Sequence, residues 1–204
     1  MATALNLYET LLRLLEYAEL DANFKNLRTT ADAAAPASNP SISGLLTLLG
    51  GQIKFPANQV ASADPNTLDD YEEGTFTPIV ADAISGGNVG TLGASAGASI
   101  KTGNVVNFSM SLINITTTGM TAGNAVIVRG LPFIAKNLTN LYQPVTVLFS
   151  SLTTTAGSLQ GLVNPNTGAI TISNGNITGV LDNLLVSDIT SGSSDLYIAG
   201  SYLV

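Results

Sequence analysis

Four carboxylates within five residues, Asp69, Asp70, Glu72 and Glu73, are the densest group of chemically capable side chains in the sequence. Two chemistries use such groups. A pair of carboxyl groups set across a sugar at about 5 to 9 Å can cleave a glycosidic bond, and a hard cation such as Ca²⁺ takes six to eight oxygen ligands. A linear run supplies neither arrangement, because both need oxygens converging from several directions. The expectation for the run is therefore a solvated acidic turn, or a polar collar near a subunit axis. Where several copies bring it together, like charges repel unless a cation or Lys54 intervenes. Cation binding there stands as a hypothesis.

The remaining composition narrows the chemistry further. Histidine, cysteine and tryptophan are absent, which removes the commonest general base, the thiolate metal ligands and any disulfide framework. Neither a Ser-His-Asp nor a Cys-His arrangement is possible, and no Ser-x-x-Lys motif occurs. The glycine-rich segment Ile84–Gly97 lacks the Gly-Lys-Ser/Thr of a phosphate loop and reads as a flexible surface loop. We expect a non-enzymatic protein without cofactor or metal. Seven basic residues, none clustered, against fourteen acidic ones leave no footprint for nucleic acid. No apolar run approaches the twenty residues of a membrane span. Met1–Leu5 has no basic flank, and Glu9 and Arg13 follow within a dozen residues, so no signal peptide is expected.

Recognition of a sugar uses exposed rings beside amides and hydroxyls. Asn137, Asn140, Tyr142, Gln143 and Asn176, all expected in loops, are the candidates for glycan contact. The competing reading makes them ordinary turn residues with Tyr142 in the core. Tyr197 and Tyr202 fall in an expected strand and read as packing residues.

Three segments must position these groups. Residues 1–30 carry the one clear helical pattern, with Leu7, Leu11, Leu14 and Ala18 on one stripe and Tyr17, Leu20, Phe24 and Leu27 on a second. Residues 31–67 hold a linker with Pro36 and Pro40, then a leucine plug including Leu45 and Leu48, expected to be buried between chains. From 68 to 204 the pattern is short, extended and punctuated by turns, with strands expected at Ser99–Lys101, Val105–Ile115, Ser158–Val163 and Leu184–Val186 among others, which predicts an antiparallel β-sandwich or jelly-roll-like body. Val106, Phe108, Met110 and Leu112 alternate with polar residues, the signature of a strand with one buried face. Asn164-Pro-Asn-Thr-Gly168 and Asn174-Gly175 read as turns, with Gly168 free to take positive φ. Charge divides the chain at Gly74: before it ten acidic residues face four basic ones (net −6), and from it onward four face three (net −1). The β-structure is expected to start at Thr75.

Four motifs in this order, Leu68-Asp-Asp-Tyr-Glu-Glu-Gly-Thr-Phe-Thr-Pro78, Lys101-Thr-Gly-Asn-Val-Val-Asn-Phe108, Gly130-Leu-Pro-Phe133 and Leu196-Tyr-Ile-Ala-Gly-Ser-Tyr202, resemble the C-terminal module of tail fibre and minor tail proteins of tailed bacteriophages. Glu19-Leu-Asp-Ala-Asn-Phe24 is similar to a segment near the start of such fibres. The resemblance implies a mainly β, homotrimeric virion protein, made in the host cytoplasm. Its N-terminal arm would attach to other virion proteins, and its β-domain would face a host-surface glycan. Leu7, Leu11, Leu14, Leu20, Phe24, Leu27, Leu45 and Leu48 would then form the attachment or oligomer interface. Long fibres carry repetitive shafts, whereas few residues separate arm from body here, which implies a short fibre or spike. The alternative is a capsid decoration or head fibre protein.

Overall fold

The computed structural model describes residues 49–55, 67, 68, 70–153, 158–175 and 181–204, together with Ala22, Lys25 and Thr47. The expectations for the arm residues Leu7, Leu11, Leu14, Leu20, Phe24 and Leu27, for Leu45 and Leu48, and for Asp69 and Asn176 lie outside the described residues. The chain divides into two compact units, Met1–Ile53 and Lys54–Val204, and the β-structure belongs to the second.

Among the described residues ten strands follow one another: β1 (Tyr71–Phe76), β2 (Ile79–Ala81), β3 (Ala94–Thr102), β4 (Val105–Ile115), β5 (Ile127–Arg129), β6 (Gln143–Ser150), β7 (Ser158–Val163), β8 (Ala169–Gly175), β9 (Leu181–Asn183) and β10 (Ser194–Leu203). They form one antiparallel sheet in the order β1-β3-β4-β10-β6-β7-β8-β5-β2, with β9 paired to β8. The expectation of a mainly β, antiparallel body therefore holds. β1 and β2 occupy opposite ends of that path, yet only Thr77 and Pro78 separate them in the chain. The sheet must curl until its two ends approach.

Alternation decides what fills the curl. Val106, Phe108, Met110 and Leu112 of β4 and Leu196, Ile198 and Tyr202 of β10 are buried on the inner face, while Asn107, Ser109, Tyr197, Ala199 and Ser201 point outward. Large and small side chains interlock across the strands. A Cβ on Gly200 or on Gly161 would lie 2.6 Å from a methyl of Val145, so Val145 fits only because glycine faces it on both sides.

Three boundaries depart from the sequence reading. β1 begins at Tyr71, with Glu72, Glu73 and Gly74 already paired to Lys101, Ile100 and Ser99. An edge strand with solvent on both faces accepts charges that an interior strand refuses. The glycine-rich segment is loop only through Gly93, because Ala94–Thr102 is strand; its small outward residues Ala96 and Ala98 gave no apolar period. Around Leu184–Val186 a strand was expected, but β9 precedes it and Val186–Asp188 forms a 3₁₀ turn, whose Asp188 carboxylate accepts from Leu185 N at 2.9 Å. The turn at 164–168 forms as expected, although Asn166 and not Gly168 takes positive φ (58°). Asn174-Gly175 forms the end of β8, which pairs antiparallel with β9.

Candidate functional site: a buried charge pair where the motifs meet

Strand alternation along β3 sends Ile100 outward and Ser99 and Lys101 inward, leaving a lysine only 4% exposed. A buried ammonium needs a counter-charge. Asp70, one residue before β1 and 1% exposed, provides it through an ion pair with Lys101 Nζ. Asp70 is held there by its backbone, since its carbonyl accepts from Gly103 N at 2.9 Å in the β3–β4 turn. Lys101 Nζ also lies 5.4 Å from the centre of the Phe133 ring, where the face of the ring attracts a cation.

Phe133 is fixed in turn by Tyr202. The Tyr202 hydroxyl donates to Phe133 O at 3.0 Å and accepts from Phe133 N at 3.3 Å. Its ring packs edge-on against Phe108 at 5.7 Å and 72°. Burial pushes the Tyr202 phenol up to about 12, partly offset by the hydrogen bond it accepts from Phe133 N. Next to it, Gln143 acts as an extra rung of the sheet, its Oε1 accepting from Leu203 N at 2.7 Å. Asp70, Lys101 with Phe108, Phe133 and Tyr202 come from the four separate motifs of the phage-module resemblance, and they form one cluster.

The acidic run is thereby divided. Asp70 is buried and paired, which corrects the solvated-turn reading at that position. Glu72 and Glu73 are exposed on opposite faces of β1, and Tyr71 donates its hydroxyl to Glu73, which pushes the Tyr71 phenol up. Among the described residues, no three acidic side chains come together as a metal site.

A second buried carboxylate, missed in the sequence, organises the opposite end of the sheet. Asp82 is 4% exposed and accepts from Asn88 N at 2.6 Å, Asn88 Nδ2 at 3.0 Å and Thr121 N at 2.9 Å. These donors, Thr121 N first, hold its carboxyl down at about 2. They tie the loop after β2 to the loop after β4, while Arg129 Nη1 donates to Gly86 O at 3.0 Å. The segment expected to be a flexible loop is thus a bonded one. At the start of β10, Asp195 accepts from Asn114 N at 2.9 Å and Ser150 Oγ at 3.0 Å, the amide chiefly holding its carboxyl below the usual range. The signal for Asp82 in the sequence was an aspartate leading into Gly86-Gly87-Asn88, a frequent turn-former.

Among the described residues, three of the glycan candidates share one exposed segment and Gln143 does not. Asn137, Asn140 and Tyr142 are exposed on the segment that runs from β5 to β6, with Asn140 at φ 65°. Tyr142 is 53% exposed, so the alternative core reading fails. Gln143 is the buried first residue of β6 and not a loop residue, because its amide is spent on Leu203. Tyr197, expected to pack, points outward and is 44% exposed, since it sits one residue out of phase with Ile198.

Neither a protein-family model nor a curated protein matches the chain.

Proposed function

We propose that this chain is a bacteriophage virion structural protein: a short homotrimeric tail fibre or spike, attached by its N-terminal arm and presenting a jelly-roll-like β-sandwich to a host-surface glycan. The observation that carries this reading is the convergence of its four motifs. Residues spread over more than 130 positions meet in one framework cluster, Asp70–Lys101–Phe133–Tyr202–Phe108. Motifs that serve a framework identify a module; they leave its recognition surface free to vary. That directs attention to exposed segments, where Asn137, Asn140 and Tyr142 supply amides and a ring suited to sugar hydroxyls and CH groups.

Labelling the particle with an antibody against residues 100–204 tests the assignment. Label at the tail is expected. Label spread over the head would replace it with the decoration-protein reading, and particles free of label would end the virion assignment altogether.

A further inference from the structure

A lysine amine and a carboxyl group in contact inside a protein are a nucleophile and an electrophile as well as a pair of charges. Here the contact joins Lys101 Nζ to Asp70 Oδ2, and both side chains are buried. Strand register sets what surrounds them. On the inner face Lys101 stands between Val106 of β4, which is fully buried, and Glu72 of β1. The Phe133 ring lies over the ammonium, and beside that ring is a cleft of about 70 Å³ whose lining includes Glu72, Ser99, Pro132 and Phe133.

In water an amine and a carboxylic acid do not condense, because the ions are the stable forms and the solvent drives hydrolysis. A buried site reverses both conditions. Separated charges cost more to hold in apolar surroundings than a neutral amine beside a neutral acid, and one proton moved across the contact interconverts the two. A desolvated lysine is the form that acts as a nucleophile. Two groups fixed by strand register meet at an effective concentration of about 10⁵ M or more, and exclusion of water hinders the reverse step. Glu72 supplies a further acid on the same face, opposite Lys101 on the neighbouring strand.

We propose that Asp70 and Lys101 join through an amide bond formed after folding, an internal crosslink from the entry of β1 to β3. A proton passes from Lys101 Nζ to the Asp70 carboxylate, the neutral Nζ attacks Cγ, and a C–N bond forms as a C–O bond breaks. The departing hydroxyl takes a second proton from the nitrogen, carried by Glu72, and leaves as water, so nothing besides the two side chains is consumed. The charge pair is the reactant state, and chains of full mass show its electrostatics alone. The bond closes the loop 70–101 and anchors β1, which has no strand on its other side among the described residues. A pull on the chain ahead of residue 70 then loads β3 through a covalent link and does not peel the edge. Nothing in this step depends on the phage assignment.

Mass spectrometry of the full chain, folded first and denatured for the measurement, is expected to find it lighter than its sequence by one water molecule. Proteolysis should then release one branched peptide that joins the segment holding Asp70 to the segment holding Lys101. Lys101→Arg keeps a positive charge opposite Asp70 without a condensing amine and should show the full mass. Glu72→Gln, at an exposed position, should slow the loss of water by about a hundredfold, and an unchanged rate would overturn the role given to Glu72. A wild-type chain that keeps its full mass after folding overturns the proposal and leaves an ion pair only. A missing water confined to one linear peptide overturns it as well, since an aspartate cyclised on its own backbone gives the same mass. Both decisive readings use the wild-type chain, so misfolding of a variant would not spare the proposal.

Discussion

Asp70 and Asp82 are both almost inaccessible, and the protein satisfies them by different means. Asp70 meets a full opposite charge, Lys101, delivered by the neighbouring strand. Asp82 meets neutral donors, two backbone amides and an asparagine side chain, delivered by two loops. The first solution couples two side chains, each of which is costly without the other. The second lets the backbone do the work, so its cost is a fixed loop geometry. The end of the sheet with the charge pair therefore depends on residue identity, and the other end on loop conformation.

The largest effect should come from parting the pair. Lys101→Met leaves Asp70 buried and uncompensated and is expected to cost about 3–5 kcal/mol in denaturant unfolding. Asp70→Asn combined with Lys101→Met should recover most of that loss. A double variant no better than the single one would show that Lys101 acts through Phe133 and not through Asp70.

Asp82→Ala should destabilise less than Lys101→Met and should make the segment 82–90 the first site of proteolytic cleavage. Acid titration separates the two ends further. The folded carboxyl of Asp82 lies at about 2, below its unfolded value of 3.8, so the stability it contributes is present above pH 4 and lost as pH falls toward 2. Asp195 acts in the same direction. Asp82→Asn should flatten that part of the pH–stability curve, and an unchanged slope there would contradict the hydrogen-bond geometry.

Tyr202→Phe is expected to cost about 1 kcal/mol, the usual worth of a hydroxyl bonded to backbone. It has an alkaline signature too. The folded phenol is raised to about 12 from 10, so wild-type stability is present below pH 10 and declines between pH 10 and 12, a decline the phenylalanine variant should lose. At the small end, Tyr197→Ser on the outer face should change the stability of a single β-body by no more than about 0.5 kcal/mol.

Legibility followed the strength of the period. β4 and β7 were bounded correctly, at Val105–Ile115 and Ser158–Val163, because their inward residues are large and their flanks are turns. β3 was legible only at its end, Ser99–Lys101, because the side chains of Ala96, Gly97 and Ala98 are too small to show which face is buried. The Asp70–Lys101 pair was readable only once β1 and β3 had a register, since 31 residues separate the partners. Gln143 and Tyr142 look alike as loop candidates, yet one stands at the end of a ladder and the other just beyond it. The four motifs, far apart in the chain, each supply a member of one cluster, which only the register of the strands brings together.

One detail of connectivity sets the order in which this protein can be made. β10 lies in the middle of the sheet, between β4 and β6, but its ten residues, Ser194–Leu203, are translated after β1 to β9. Until they emerge, β4 and β6 have no partner between them, and Phe108 lacks the ring of Tyr202. The nascent chain waits with two sticky edges and an open core, a state that invites misassociation and the attention of chaperones. Folding is thus a late, long-range event for this chain, and a ribosome that stalls shortly before residue 194 would release a product unable to close its own sheet.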